Sequence, residues 1–214
     1  MRIVIAGGHG QIARHFGRLV TENGHEAVAM IRDPEQVQDV REDGMEPAMI
    51  DLEATDVAEM TEIVRGADAV VFAAGGGPDG NAARKETVDK GAAIMLADAA
   101  QASGVRRYVM ISAMGTDQAD PDSSDVFQVY LRAKQAADDD VRARDLDWTI
   151  VQPGRLTDDV PSGLVAVGEL ERGSVTRGDV AHVLAEVIDS ENTIGKTFAV
   201  LNGKTPVKQA VRSL

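Results

Sequence analysis

The sequence predicts an α/β protein with a single doubly wound parallel sheet and helices on both of its faces. Short apolar runs alternate along the chain with longer segments of helical periodicity, as in successive right-handed βαβ units. The runs are largely β-branched, which is typical of buried parallel strands. A chain of 214 residues is long enough for one domain with a sizeable core.

The elements follow one another in regular order. The predicted strands lie at 2–6, 26–31, 47–50, 68–74, 106–112 and 147–152. Helical spacing of apolar residues predicts helices between them, at 11–23, 34–42, 56–65, 81–102 and 126–144. Four of these helices are followed by glycines, which favour a left-handed C-terminal cap, at Gly24, Gly44, Gly66 and Gly104.

The order of elements changes after Pro153. A loop-rich stretch at 154–176 is followed by a helix at 179–190 and a strand at 195–200. No internal repeat or low-complexity linker separates these residues from the rest of the chain. We therefore expect one domain over 1–214, with a sheet core at 1–153 and a small C-terminal cap at 154–214 that forms part of a substrate site.

Composition excludes several classes of protein. The absence of cysteine rules out disulfides, thiolate zinc sites and a cysteine nucleophile, and we expect no metal site. The formal charge of -13 and the lack of a basic run argue against a nucleic-acid partner. Without a long apolar segment or a leader-like start, we expect a cytoplasmic protein with no membrane partner.

The first strand leads into a glycine-rich loop. A glycine at the strand end permits a tight turn, and Gly10 lets the backbone approach a pyrophosphate at the positive end of the next helix. The loop lies after a strand and before an amphipathic helix, as a dinucleotide-binding motif requires, with a plain βα turn as the alternative. His9 lies near the phosphates or faces solvent. The residues expected to contact the cofactor here are Gly7, Gly8, His9, Gly10, Gln11 and Ile12.

The loop AGGHGQIA resembles the TGxxGxxG/A fingerprint of atypical short-chain dehydrogenase/reductases, with Ala13 in place of the third glycine. Segments in the same order extend the resemblance over most of the chain: IDLEA, VVFAAGGG, VMISAMG, YLRAK, LDWTIVQPGRL and VTRGDVAHVLAEVI. Together they resemble the small NAD(P)H-binding members of that group, which include flavin reductase-like, sugar-epimerase-like and NmrA-like proteins. The resemblance implies a Rossmann fold and a nicotinamide cofactor.

The end of the second strand bears on which cofactor is preferred. Arg32 offers a planar guanidinium that suits a 2′-phosphate, so we expect NADP (NADPH), with NAD possible. Asp33 could instead bind the ribose of NAD or cap the helix that begins at Pro34. The resemblance further implies that Asp51 and Leu52 flank the adenine, and the alternative for Asp51 is an ordinary turn residue at the end of a strand. It also implies nicotinamide-side contacts from Ala73, Ala74, Gly75, Pro153 and Gly154.

The resemblance also implies a catalytic set made of Ser112, Tyr130 and Lys134. In the family, such a serine polarises the substrate carbonyl and the tyrosine transfers a proton. The lysine binds the nicotinamide ribose and lowers the pKa of the tyrosine. Lys134 follows Tyr130 by four residues, which puts both on one helix face. Tyr130 could equally be an aromatic anchor of the core, and Ser112 a hydrogen-bonding residue at a strand end.

Two functions remain open. The first is an NADPH-dependent reductase or epimerase-like enzyme that transfers hydride to a small carbonyl or quinone-like substrate, with Tyr130 as proton donor. The second is a non-catalytic NADP-binding redox sensor of the NmrA-like kind, which binds a protein partner. The sequence is compatible with either a monomer or a homodimer.

Overall fold

The computed structural model describes residues 1–77 and 80–214. In this part of the chain a nine-stranded sheet has the order β11-β8-β10-β6-β5-β4-β1-β2-β3, and β7 and β9 form a separate parallel pair. From β10 to β3 all neighbouring strands are parallel, whereas β8 is antiparallel to β10 and to β11. The strands are β1 (Arg2–Ala6), β2 (Glu26–Ile31), β3 (Glu46–Met49), β4 (Ala69–Phe72), β5 (Arg107–Ile111), β6 (Asp147–Pro153), β7 (Arg155–Thr157), β8 (Leu164–Gly168), β9 (Ser174–Thr176), β10 (Lys196–Asn202) and β11 (Thr205–Pro206).

Helices cover both faces of this sheet, as the apolar strands predict. Apolar residues of α1, α7 and α8 form one core with it, and those of α3, α5 and α6 form the other. The four glycines expected to end helices have positive φ angles of 72° to 83°. The helices are α1 (Gln11–Glu22), α2 (Val37–Glu42), α3 (Val57–Val64), α4 (Ala82–Arg84), α5 (Ala93–Ala102), α6 (Val126–Arg142), α7 (Arg177–Ile188) and α8 (Val207–Arg212). Among the described residues, none of these helices is both long and apolar enough to cross a membrane.

The helix expected over 81–102 is interrupted. A π-helical segment at Lys85–Ala92 joins α4 to α5. Its wider turn places Lys85 and Asp89, two charged residues, among its buried side chains. Apolar periodicity does not predict such an arrangement, because it assigns charged residues to the solvent.

The stretch at 154–176, expected to be loop-rich, contains β7, β8 and β9. These strands are short and find partners far along the chain, so local sequence carries little signal for them. Asp179 ties the cap together, because its carboxylate accepts from the backbone N–H groups of Ser162 at 3.0 Å and Gly163 at 2.7 Å. Thr176 caps α7 by accepting from the Asp179 N–H at 2.9 Å.

Candidate functional site

The glycine-rich loop lies at the carboxyl end of β1, where close packing excludes side chains. Gly7 has a φ of +79°, and a Cβ there would lie 2.6 Å from Ala74 Cα. A Cβ on Gly8 would lie 2.4 Å from Ala29 Cβ. Gly10 precedes α1 and offers it no side-chain cap, so the first-turn N–H groups are left for a ligand.

The carboxyl ends of β1, β2, β3 and β4 surround a cleft of about 530 Å³. It opens beside the β1–β4 pair, where the strand order reverses and open α/β sheets bind their ligands. The predicted cofactor residues that line it are Gly7, His9, Gly10, Arg32, Asp51, Leu52, Ala73, Ala74 and Gly75.

The other predicted cofactor residues lie outside this lining: Gly8, Gln11, Ile12, Lys134, Pro153 and Gly154. At the first turn of α1, Gln11 is exposed and Ile12 is buried. The N–H of Gly154 donates to Val200 O at 3.1 Å, which fastens the proline-glycine turn to β10. Of these residues, Lys134 contacts the lining through the carbonyl oxygen of Ala74.

Several residues of the cleft were not predicted. Strand ends supply three of them, and the position of Ile50 after β3 would have identified it. Arg84 and Val88 come from the helical region after β4, and sequence spacing does not place that region over the cleft. The full set is Met30, Ile31, Gln36, Ile50, Glu53, Gly77, Arg84 and Val88.

His9 is both a cleft residue and a partner of α2. Its Nε2 lies 2.8 Å from Asp39 Oδ2, and about a third of the side chain is exposed. The hydrogen bond from His9 and the charge of Arg14 together lower the pKa of the exposed Asp39 carboxyl. His9 thus links the glycine loop to α2 at the mouth of the cleft.

Two acidic residues at strand ends stabilise local turns. The carboxylate of Asp33 accepts from the Glu35 N–H at 2.9 Å and caps the turn at Pro34–Gln36, as one of the alternatives predicted. Asp51 accepts from the Glu53 N–H at 3.0 Å while also lining the cleft. Asp33 does not line the cleft, whereas its neighbour Arg32 does. Of the two residues that follow β2, Arg32 is therefore the one that faces the cleft.

Lys134 is buried on α6 and joins it to the ends of two strands. Its Nζ donates to Ile111 O at 3.1 Å and to the backbone carbonyl oxygen of the cleft residue Ala74 at 3.5 Å. Asp89, which no motif or spacing in the sequence indicates, is its ion-pair partner at 3.3 Å. The other carboxylate oxygen of Asp89 accepts from the Gly76 N–H at 2.9 Å, so this pair also holds the loop after β4.

Tyr130 lies one turn before Lys134 and is largely buried. Its ring centroid is 6.0 Å from that of Phe127 and 5.8 Å from Lys85 Nζ. Burial raises the pKa of Tyr130, and the charges of Asp89 and Asp138 act in the same direction. The pKa of Tyr130 is therefore raised by burial and not lowered as expected from Lys134, whose ammonium pairs with Asp89.

Ser112 lies at the end of β5, but its hydroxyl group donates a hydrogen bond to a buried side chain of the protein. The Oγ donates to Asp138 Oδ2 at 2.8 Å, and Gln152 Nε2 donates to the same oxygen at 3.2 Å. Burial raises the pKa of Asp138 to about 6, although both hydrogen bonds and Arg142 lower it. This arrangement matches the strand-end alternative for Ser112. Asp138 lies one turn after Lys134, and that spacing is the signal that could have identified it.

The cleft fits a dinucleotide in shape and charge. Gly10 lines the cleft before α1, and a Cβ there would lie 3.2 Å from Gly7 O and 3.8 Å from Ala73 O, so glycine leaves this space open. Arg32 brings a cation to the far side of the cleft, after β2. A diphosphate at the loop and a ribose near Arg32 therefore meet suitable groups.

Comparison with known proteins agrees with this geometry. The model of a family described as NAD(P)H-binding matches residues 7–191. The chain is 31% identical over 216 residues to the uncharacterized sugar epimerase YhfK of Bacillus subtilis (strain 168), with 100% of both chains covered. A proposed NAD-dependent epimerase/dehydratase from Bacillus halodurans has a solved structure with a TM-score of 0.92 and 39% identity, covering 100% of both chains.

A second solved structure, that of the oxidoreductase ylbE from Lactococcus lactis, has a TM-score of 0.87 and 28% identity. It covers 100% of this chain and 96% of its own. Sequence and fold thus agree along the whole length of the chain. The chain therefore belongs to the NAD(P)H-binding family, and its fold is the Rossmann fold of these epimerase-like and oxidoreductase-like proteins.

Proposed function

We propose that the protein is an NADPH-dependent oxidoreductase that reduces a small carbonyl or quinone-like compound, with Tyr130 as proton donor. The observation that supports this most directly is the placement of Tyr130 and Lys134 on one face of α6. Lys134 contacts the cleft through Ala74. Lys85, whose Nζ lies 5.8 Å from the centroid of the Tyr130 ring, donates to the carbonyl oxygen of the cleft residue Gly77 at 2.5 Å.

In such a reaction, some residues of the protein would bind the cofactor and another would donate a proton to the substrate. A bound NADPH would supply hydride to the substrate carbonyl carbon. The glycine loop and the α1 N-terminus bind the diphosphate, and Arg32 binds the 2′-phosphate. Tyr130 is a protonated phenol at neutral pH, and its Oη would give that proton to the carbonyl oxygen as hydride reaches the carbon.

Arg32 provides the test of the cofactor preference. Replacing Arg32 with alanine should weaken NADPH binding by about tenfold and leave NADH binding almost unchanged. Equal losses for both nucleotides would contradict the assignment of the 2′-phosphate to Arg32. The measurement is direct titration of each nucleotide into the purified protein.

The experiment on the reaction compares the two tyrosines of the chain. Tyr130→Phe should lower kcat for NADPH oxidation by about 100-fold or more and leave the Kd for NADPH within about twofold. Tyr108→Phe is the matched control, because Tyr108 is buried in the core and donates to Ala93 O at 2.9 Å. It should cost about 1 kcal/mol of stability and leave kcat unchanged.

The substrate screen should use carbonyl compounds, quinones and flavins with wild-type protein. Oxidation of NADPH that survives Tyr130→Phe would show that another group supplies the proton. The absence of oxidation with every class of compound, in a protein that binds NADPH, would refute the enzyme proposal.

One observation favours the second candidate, a non-catalytic NADP-binding sensor. The Ser112 hydroxyl is buried and donates to Asp138, so the group expected to polarise a substrate carbonyl is engaged elsewhere. A sensor needs the nucleotide cleft but no free serine. It would bind NADPH, show no turnover and form a complex with a partner protein whose stability depends on the nucleotide.

A further inference from the structure

A carboxylate holds two arginines together at the rim of the cleft. Glu53 Oε2 lies 3.5 Å from Arg32 Nη1 and 3.1 Å from Arg84 Nε. The other oxygen of Glu53 accepts from Thr87 Oγ1 at 2.8 Å. Arg32 directly follows β2, Arg84 ends α4 and Thr87 belongs to the π-helical segment, so Glu53 connects parts of the chain that are distant in sequence.

Three members of this group face the cleft: Arg32, Glu53 and Arg84 all line it. The Glu53 side chain is about a quarter exposed and that of Arg32 about half, so a ligand can reach both. Arg32 and Glu53 lie after β2 and β3, the two strands at one edge of the sheet. This is where the adenosine ribose of a dinucleotide lies in this kind of sheet.

A 2′-phosphate and the Glu53 carboxylate would compete for the same guanidinium groups. Both anions accept from arginine, and a dianionic phosphate beside a fixed carboxylate is repelled by it. A ribose 2′-hydroxyl, in contrast, can donate to that carboxylate without disturbing either arginine. The Glu53 carboxylate therefore weakens the binding of NADPH and is compatible with the binding of NADH.

We propose that Glu53 sets the nucleotide selectivity of the cleft by occupying Arg32 and Arg84, and that a 2′-phosphate displaces it to bind them. The inference rests on the proposed NADPH preference. Arg84 and Arg32 then both bind the 2′-phosphate. The hydrogen bond from Thr87 keeps the Glu53 carboxylate beside these arginines and so opposes its displacement. Removing the charge of Glu53 should therefore favour NADPH over NADH.

The test is nucleotide binding to Glu53→Gln, measured by calorimetry at low ionic strength with NADPH, NADH and the fragment 2′,5′-ADP. The Kd for NADPH and for 2′,5′-ADP should fall by about fivefold, and the Kd for NADH should change by less than about twofold. Thr87→Val should shift selectivity in the same direction by a smaller factor.

The matched control is Glu62→Gln, which removes the same charge from an ion pair with Arg65 on exposed side chains outside the cleft. It should leave all three Kd values unchanged. If Glu53→Gln weakens NADPH binding, or shifts NADPH and NADH equally, Glu53 only supports the rim and the inference is wrong.

Binding and turnover separate this inference from the proposed function. A protein that shows the selectivity shift but oxidises no NADPH retains this role for Glu53 and loses the enzyme proposal. A protein whose turnover depends on Tyr130 but whose selectivity ignores Glu53 retains the enzyme proposal and loses this inference.

Discussion

Asp138 should make the stability of the protein fall as the pH rises. Its carboxyl group is fully buried, and its Oδ1 atom has no hydrogen-bond partner among the described residues. Ser112 and Gln152 donate to the other oxygen, and Arg142 lies 3.8 Å from it. These groups only partly offset the cost of burying the charge, so the pKa is raised from 3.8 to about 6.

The direction of the effect follows from the protons bound in each state. Between pH 3.8 and about 6 the unfolded chain has released the Asp138 proton while the folded chain retains it. The free energy of unfolding therefore decreases as pH rises through this window. A shift of this size corresponds to about 3 kcal/mol in total, at about 1.4 kcal/mol for each pH unit.

Replacing Asp138 with asparagine removes the titrating group and keeps an acceptor for Ser112. The sequence pI of about 4.7 makes the region near that pH unsuitable, so urea unfolding is measured from about pH 5 to about pH 8. Over this range wild type should lose about 1.4 kcal/mol relative to Asp138→Asn. Asp122→Asn, at an exposed position, is the control and should follow wild type. Parallel curves for wild type and Asp138→Asn would refute the reasoning.

Two further predictions concern the glycine loop and the buried Lys134–Asp89 pair, and each is measured by urea unfolding. Gly8→Ala should destabilise the protein by about 2 kcal/mol or more, because the new Cβ would lie 2.4 Å from Ala29 Cβ. Gly66→Ala, with a φ of +74° but open space around it, should cost about 1 kcal/mol, and equal losses at both sites would contradict the steric argument. Lys134→Met should cost about 3 kcal/mol, because it leaves the Asp89 carboxylate buried without its cation. Adding Asp89→Asn should recover more than half of that loss, and no recovery would show that the charge is not its source.

Local sequence predicts the sheet core well. The short apolar run predicts the strand at Arg2–Ala6 with its observed bounds. Successive residues such as Ile3 and Val4 are both apolar because they are buried on opposite faces of the sheet. The same pattern identifies the strand at Glu26–Ile31. It fails for β8, whose pairing with β10 depends on contacts made over thirty residues away. Weak strands of this kind are decided by their partners.

The candidate site divides in a similar way. Gly7, Arg32 and Ala73 directly follow strands, and strand ends meet at one edge of a parallel sheet, so their places could be predicted. The sequence does not indicate Glu53, because its place at the rim of the cleft depends on a contact with Arg84, thirty-one residues later. Asp89 was passed over because a π-helical turn points it inward.

The order of strands and helices, the glycine loop and the cation after β2 follow from the residues themselves, since periodicity and backbone freedom are local properties. Which charges meet is settled only when the chain is folded. The pairing of Lys134 with Asp89 and the donation from Ser112 to Asp138 arise in this way. Buried charges must find partners, and those partners lie wherever the packing of distant elements brings an opposite charge or a donor within reach.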